Sequence, residues 1–363
     1  MKSYNHLWEQ FISEDNVLIA INNSSQGKRD RRYVRPIYEN PKHHTPWIIP
    51  YACNFHNSEH IPKEIYDGIT RKKRQIIVPE YKEQIVHHMC VNVLIPIFTH
   101  GMYEHSYESI PDRGAHKAKK FIERWIRQDY KHTKYYLKMD IRKFFDSIPH
   151  EILERKLRKI IHDERFLGVL HEIISVTDHG LPLGFYTSQW IANWYLQDLD
   201  HYIKEVLGAE YYVRYMDDMV IMSGNKRKLH KFRKAIAEYL KRELGLELKD
   251  NWQVSRITEC NCIDFMGFRF FRNRTTLRKS IFLKAKHKAR RIAKKDKTTV
   301  YDARQMISYL GWFDATDTYW AFQQHVSAFV NVRQLKRKVA SYDRRKNNGM
   351  EDGRKQRETK RAG

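Results

Sequence analysis

Two adjacent carboxylates, Asp217 and Asp218, sit inside the apolar and aromatic stretch YYVRYMDDMVIM at 211–222. Its flanks, 211–213 and 219–222, are rich in β-branched and aromatic residues and predict two strands, with the acidic pair on the turn between them. Tight hairpins favour Asn-Gly or Asp-Gly there, because those residues tolerate positive φ. Two aspartates gain nothing of that kind, and at ~4 Å with an effective dielectric of ~20 they repel by about 4 kcal/mol. A divalent cation neutralises such a tip, although an isolated acidic pair also reads as a solvated turn. A third carboxylate, Asp140, ends an apolar strand predicted over 135–139. By itself it reads better as a helix cap at a strand end. Mg²⁺ takes one or two carboxylates and completes its shell with water and substrate phosphate. Two such ions clamp the attacking and leaving oxygens of an in-line phosphoryl displacement. Asp140, Asp217 and Asp218 together are a donor set for that clamp.

These carboxylates need elements to carry them. Apolar spacing predicts helices over 7–21, 81–98, 148–161, 187–206 and 229–244, with Pro149 in the first turn of the third. A basic amphipathic helix is predicted over 114–129, with Ala115, Ala118, Phe121 and Ile122 facing inward. Residues 27–32 break the first helix, and 40–57, rich in Pro, His and Asn, read as loop. Residues 75–78 and 265–271 read as strands, and 284–339 as basic helices.

The chain has 67 Lys and Arg against 43 Asp and Glu, a net +24 that points to a polyanionic partner through counterion release from phosphates. Hydrophobic residues at 41% suffice for real cores and exclude global disorder. No run of ~18 apolar residues is present to span a bilayer, and the N-terminus lacks a secretory signal, so the expectation is a cytoplasmic protein. Cys53, Cys90, Cys260 and Cys262 contain no CxxC pair and read as reduced structural thiols. His43-His44 and His87-His88 lack a ligand set and read as surface or nucleic-acid contacts.

Six motifs occur in the order found in reverse transcriptases, and the chain resembles that family over nearly its whole length. YMDD at 215–218 is similar to the palm hairpin motif, and KMDIRKFFDSI at 138–148 to the first palm aspartate motif. GLPLGFYTSQ at 180–189 resembles the motif that covers the incoming nucleotide, and IDFMGFR at 263–269 the primer-grip hairpin. RQIIVP at 74–79 and SYESIPDR at 106–113 resemble fingers motifs of bacterial, group II intron-like enzymes, and SYLGW at 308–312 their helical thumb.

The resemblance implies an α+β right-hand polymerase, with fingers at 1–130, an antiparallel-sheet palm at 131–272, a helical thumb at 273–345 and a basic flexible tail at 346–363. In that order the expectation is that no RNase H-like or nuclease domain has room to follow the thumb. It further implies RNA-directed DNA synthesis with two Mg²⁺, Mn²⁺ being a possible substitute, held by Asp140, Asp217, Asp218 and the backbone oxygen of Ile141. Arg74 matches the arginine that pairs with the triphosphate, a role for which its planar fork suits phosphate oxygens. Lys72 and Lys73 are helpers of Arg74 or simply a solvated basic loop. Phe145 matches an aromatic gate that excludes a 2′-hydroxyl, or is core like Phe144. Tyr215 would abut the primer end, and Met266 and Gly267 would lie in the primer grip. Arg113, His116, Lys117, Lys284, Lys286, Lys288, Arg290 and Arg291 would touch template or duplex phosphates.

Two departures from the family pattern stand out. Leu183-Gly184 and Ser188-Gln189 replace the usual Gln-Gly and Ser-Pro of the nucleotide-covering motif. That variant is similar to the enzymes of diversity-generating retroelements, which miscopy adenines. Such a relationship implies template RNA, primer or cDNA, deoxynucleoside triphosphates and a small basic helical accessory protein as partners. Loss of the amide at Leu183 weakens discrimination by a few kcal/mol at most, since such hydrogen bonds differ by ~1–3. Trp252-Gln253 replaces an expected Lys-Thr pair, which leaves Lys249 to protonate the pyrophosphate leaving group. Rival expectations are a domesticated bacterial enzyme of phage defence, an intron-like relative, or a catalytically silent RNA-binding scaffold. A small-molecule phosphotransferase lacks a Gly-rich phosphate loop and leaves +24 unexplained.

Overall fold

The computed structural model describes residues 3–66 and 73–345, so Lys72 and the tail at 346–363 lie outside the described residues. The chain forms two compact units, Met1–Arg256 and Ile257–Gly363.

In the first unit the strands are β1 (Lys63–Tyr66), β2 (Lys73–Ile76), β3 (Ser106–Tyr107), β4 (Tyr135–Asp140), β5 (Tyr211–Tyr215), β6 (Asp218–Ser223) and β7 (Gln253–Arg256). β1 and β2 pair antiparallel, with every residue exposed except the half-buried Ile76. The other five form one sheet in the order β3-β5-β6-β4-β7, antiparallel throughout except where the two-residue β3 joins β5 in parallel. Residues Met219 to Met222 of β6 are buried, as a central strand covered on both faces requires. The helix Lys226–Leu244 packs on β4, β6 and β7. Asn225 caps its start by accepting from Arg227 N and Lys228 N, and Gly245 at φ 62° ends it. Leu229, Phe232, Ile236, Leu240 and Leu244, three or four residues apart, form its buried stripe. The helix Tyr81–Thr99 packs against both Glu14–Ser25 and Tyr186–Tyr195 and contributes Ile85, Val86, Met89 and Leu94 to one continuous core.

The second unit begins with a three-stranded antiparallel sheet of β8 (Ile263–Phe265), β9 (Phe268–Phe270) and β10 (Thr275–Leu277). The helices Lys279–Ala293 and Val300–Asp314 follow and pack on each other.

Several elements differ from the sequence expectation. Residues 40–57 are mostly the helix Pro41–Cys53, not a loop. Pro41 stands at its start, where a missing N–H costs nothing, and Thr45 Oγ1 donates to the Lys42 carbonyl that Pro46 cannot serve. Burial of Thr45, Ile48 and Ala52 then outweighs the composition. The expected helix over 7–21 is split between Leu7–Phe11 and Glu14–Ser25, because Ser13 caps the second by accepting from Asn16 N. The expected helix over 187–206 breaks at Leu196 and finishes as a π-turn over Tyr202–Val206. Residues 265–271 turn back on themselves at Met266-Gly267, so the expected strand is a hairpin.

Candidate active site

β5 and β6 form a hairpin whose closing pair is Tyr215 with Asp218, which leaves Met216 and Asp217 as the turn. Asp218 therefore opens β6 rather than lying on the turn, and the left-handed residue is Met216, at φ 53°. Antiparallel pairing of β4 with β6 sets Asp140 opposite Asp218. Three carboxylates from two separate segments thus meet at one end of the sheet. Burial first, then the neighbouring charges of Asp140 and Asp218, push the Asp217 carboxyl well above the usual carboxylate range. Asp140 Oδ1 is buried without a hydrogen-bond partner. Its Oδ2 accepts from Lys249 Nζ, and its carbonyl accepts from Lys249 N at 2.8 Å. Ile141, fully buried, bridges Leu248 in the same short pairing.

Among the described residues no three acidic, His or Cys side chains form a ready-made metal cage. The donor chemistry nevertheless suits divalent cations whose shells are completed by water and phosphate: mutually repelling carboxylates, one with an orphaned buried oxygen. A bound cation would relieve the repulsion that holds Asp217 up.

The segment at 180–189 docks on this end through its own backbone. Leu181 N donates to Phe145 O at 2.7 Å, and Gly180 N to Ile148 O at 3.1 Å. Phe144 is buried whereas Phe145 is only half-buried, which divides the pair into core and candidate gate. Ile77 N, just past β2, donates to Leu183 O at 2.7 Å. Gly184 adopts φ +107°, and a Cβ there would lie 2.2 Å from Ile77 O. Backbone cannot step aside as a side-chain tip can. Gly184→Ala is therefore expected to cost ~1–3 kcal/mol and to detach the segment after β2 from the Leu183 carbonyl. Faster proteolysis within 66–79, with β4 and β6 still protected in hydrogen exchange, is the check. Unchanged cleavage rates would count against the contact.

Arg74 lies on β2 opposite Ile65 and is exposed. Gln189, also exposed, accepts from Ser109 Oγ at 3.2 Å. Burial and then Asp218 push the Glu108 carboxyl up to about 7, against the opposing pull of Arg74. Tyr215 is half-buried, its hydroxyl pushed up to about 12 by burial and Glu108. Arg113 donates from Nη1 to Tyr103 O at 2.9 Å, so it braces its own loop. His116 and Lys117 are exposed in the first turn of the helix Ala115–Gln128. The inner face of that helix is Ala118, Ile122 and Ile126, with Phe121 and Trp125 packed on His105.

In the second unit Met266 and Gly267 form the β8–β9 turn at φ 52° and 86°. Lys284, Lys286, Arg290 and Arg291 lie on the helix Lys279–Ala293 with Arg290 and Arg291 exposed. Lys288 leaves that set. It is 5% exposed and its Nζ donates to Asp302 Oδ1 at 2.7 Å and to Gln305 Oε1, so its charge is neutralised between two helices.

His87 and His88 are not surface contacts. His87 is buried, bonded to Thr187 Oγ1 at 2.9 Å and edge-on to Phe185, and His88 stacks on Tyr186 at 4.2 Å. Burial holds them down to about 3 and about 4, so both are neutral props under the segment at 185–187. All four cysteines are free thiols, and no helix among the described residues is long and apolar enough to cross a membrane. Sequence reading overlooked Arg214. A charged residue inside the buried run of β5 was the available signal.

Residues 61–270, more than half of the chain, match the family described as reverse transcriptase (RNA-dependent DNA polymerase). Protein YkfC of Escherichia coli K12 is 24% identical over 249 residues, covering 56% of this chain and 65% of that protein. The retron Ec73 reverse transcriptase of Escherichia coli is 32% identical over 135 residues, covering 33% of this chain and 42% of that one. The chain thus spans less than two thirds of either relative. A solved telomerase from Candida albicans superposes with a TM-score of 0.47 at 14% identity, covering 77% of this chain and 58% of that one.

Proposed function

Because the chain belongs to the reverse transcriptase family, we propose that it is an RNA-directed DNA polymerase working by two-metal nucleotidyl transfer. The observation that carries this reading is the register setting Asp140 opposite Asp218, with Asp217 on the adjoining turn. Two Mg²⁺, or Mn²⁺ in their place, would be held by these carboxylates and the Ile141 carbonyl, and would stabilise charge on the transferring phosphoryl group. Lys249, which donates to the Asp140 carboxylate, gives a proton to departing pyrophosphate. Arg74 pairs with the triphosphate, and Leu183, Gly184 and Gln189 frame the nascent pair. Tyr215, Met266 and Gly267 support the primer. His116, Lys117, Lys284, Lys286, Arg290 and Arg291 contact phosphates, with Arg113 shaping the loop beside them. The fingers, palm and thumb divisions at 1–130, 131–272 and 273–345 follow this reading. The protein works in the cytoplasm. Primer extension on a defined RNA template with Mg²⁺ tests the activity. Tight RNA binding without extension in any condition would instead favour a silent scaffold.

Phe145 is the sugar gate. Phe145→Ala is expected to admit ribonucleotides and reduce the preference for deoxynucleotides by about 10–100-fold, the range one lost steric or apolar contact supports. Paired single-nucleotide additions with dGTP and GTP measure it. An unchanged ratio would assign Phe145 to packing.

The biological role that the variant motif at 183–189 supports is error-prone copying in a diversity-generating retroelement, assisted by a small basic helical protein. Without an amide at Leu183, the pocket distinguishes template adenines poorly. cDNA made from a defined RNA should then carry errors concentrated at adenines, and faithful copying there would remove this role. The likeness to a retron enzyme favours a second reading, a domesticated or intron-like bacterial enzyme, which predicts a flat error spectrum.

A further inference from the structure

We propose that Arg214 is a positioning residue, which fixes the turn carrying Asp217 by holding the carbonyl of Met216. This rests on the polymerase reading for its catalytic consequence, though the clamp itself is read from the first unit alone. Arg214 lies on β5, one residue before Tyr215, and its side chain is fully buried. Nε donates to Asp200 Oδ1 at 2.8 Å and Nη2 to Asp200 Oδ2 at 2.6 Å. Nη1 donates to Asn193 Oδ1 at 3.1 Å and to Met216 O at 3.0 Å, and Nη2 also reaches Asn193 O at 3.2 Å. A guanidinium has five N–H donors, and here five contacts use them all. Tyr212 Oη completes the Asp200 carboxylate at 2.7 Å. Asn193 Nδ2 in turn holds Glu108 O at 2.7 Å. One side chain therefore ties the turn to the helices Tyr186–Tyr195 and Gln197–His201, and through Asn193 to the Glu108 loop.

The turn needs such a hold. Met216 sits at φ 53°, a conformation L side chains seldom adopt and which surrounding contacts must over-determine. Met216 N donates to Tyr107 O at 3.3 Å and Met216 O accepts from Arg214, so the strained residue is pinned on both sides. Asp217 follows directly. A buried ion pair is not required for stability, since an apolar pair of similar volume often serves as well. Its geometry here points instead to placement of the peptide before the metal-binding carboxylate.

Lysine offers three donors around a point charge and no planar fork, so Arg214→Lys can keep Asp200 company without also reaching Met216 O. Asn193→Ala is the second variant. It leaves the Arg214–Asp200 pair intact and loosens the guanidinium from the side, so the test survives if the lysine variant does not fold. Hydrogen exchange is read over 211–222 and, for reference, over Lys226–Leu244. Single-turnover addition on an RNA template gives the maximal rate, the dNTP affinity and the template affinity. Arg214→Lys should speed exchange at 215–218 by about tenfold with the reference helix unchanged. It should cut the maximal rate by about 10–100-fold, the scale of an ångström-sized misplacement, with template affinity within about twofold. Asn193→Ala should do the same more weakly. Unchanged exchange at 215–218 in a folded variant would overturn the clamp. So would a rate loss fully explained by a smaller active fraction. If the wild type adds no nucleotide, the polymerase reading falls, and the exchange comparison still judges the clamp.

Discussion

Asp217→Asn is expected to lower RNA-templated nucleotide addition by about 10³-fold or more while leaving the protein folded. An amide keeps the size of the side chain and removes the charge that a divalent cation needs. Loss of one metal-stabilised interaction in phosphoryl transfer removes several kcal/mol, and each 1.36 kcal/mol is tenfold in rate. The same substitution should stabilise the metal-free protein slightly. Burial and the charges of Asp140 and Asp218 hold the Asp217 carboxyl above its ordinary range, so its ionised form is disfavoured in the folded state. The sign follows from proton binding. The folded state takes up a proton at higher pH than the unfolded chain, so wild-type stability falls as pH rises through that interval. The gain in Asp217→Asn should be present near pH 8 and vanish below about pH 4, where the acid is protonated in both states. Primer extension and thermal melting in chelator at the two pH values check both halves. Activity within tenfold of wild type would remove Asp217 from the metal-binding set.

Asp200→Ala should strongly destabilise the first unit. It leaves the Arg214 guanidinium buried and charged with its principal partner gone. Breaking one side of a buried ion pair costs about 3–5 kcal/mol. For a unit of this size that lowers the melting temperature by roughly 10 °C, at about 2–4 °C per kcal/mol. The double variant Asp200→Leu with Arg214→Met should recover most of the loss, since it removes both charges and refills their space. It should not restore fast nucleotide addition, because Met216 O still lacks its donor. Denaturant melts of the two variants beside single-turnover rates separate stability from placement. Equal stability of Asp200→Ala and wild type would mean that Arg214 finds another counter-charge.

Features set by neighbours in sequence were readable in advance. The hairpin at 211–223, the Asp140 strand and the helix Lys226–Leu244 follow from β-branched and aromatic enrichment, short apolar runs and apolar stripes, all short-range properties. Composition misled at Pro41–Cys53, where prolines at permissive positions and burial of Ile48 and Ala52 outweighed weak helix propensity. Basic periodicity on the helix Lys279–Ala293 could not single out Lys288 as inward, because its partner Asp302 comes from a separate helix. His87 and His88 looked like surface residues for the same reason, their packing partners being about 100 residues away at Phe185, Tyr186 and Thr187.

The sequence by itself supplied the candidate groups: three carboxylates on or beside strand ends, the segment GLPLGFYTSQ at 180–189 and a strongly basic chain, with motifs in an order characteristic of one family. Tertiary structure alone decided how they meet. It placed Asp140 opposite Asp218, brought Lys249 onto Asp140, docked Leu181 on Phe145 and closed Arg214 on Asp200 and Met216. Residue type and local period are carried by adjacent positions. Strand register and buried charge pairing arise only when distant segments exclude water together, and the burial that joins them is not encoded in any one of them.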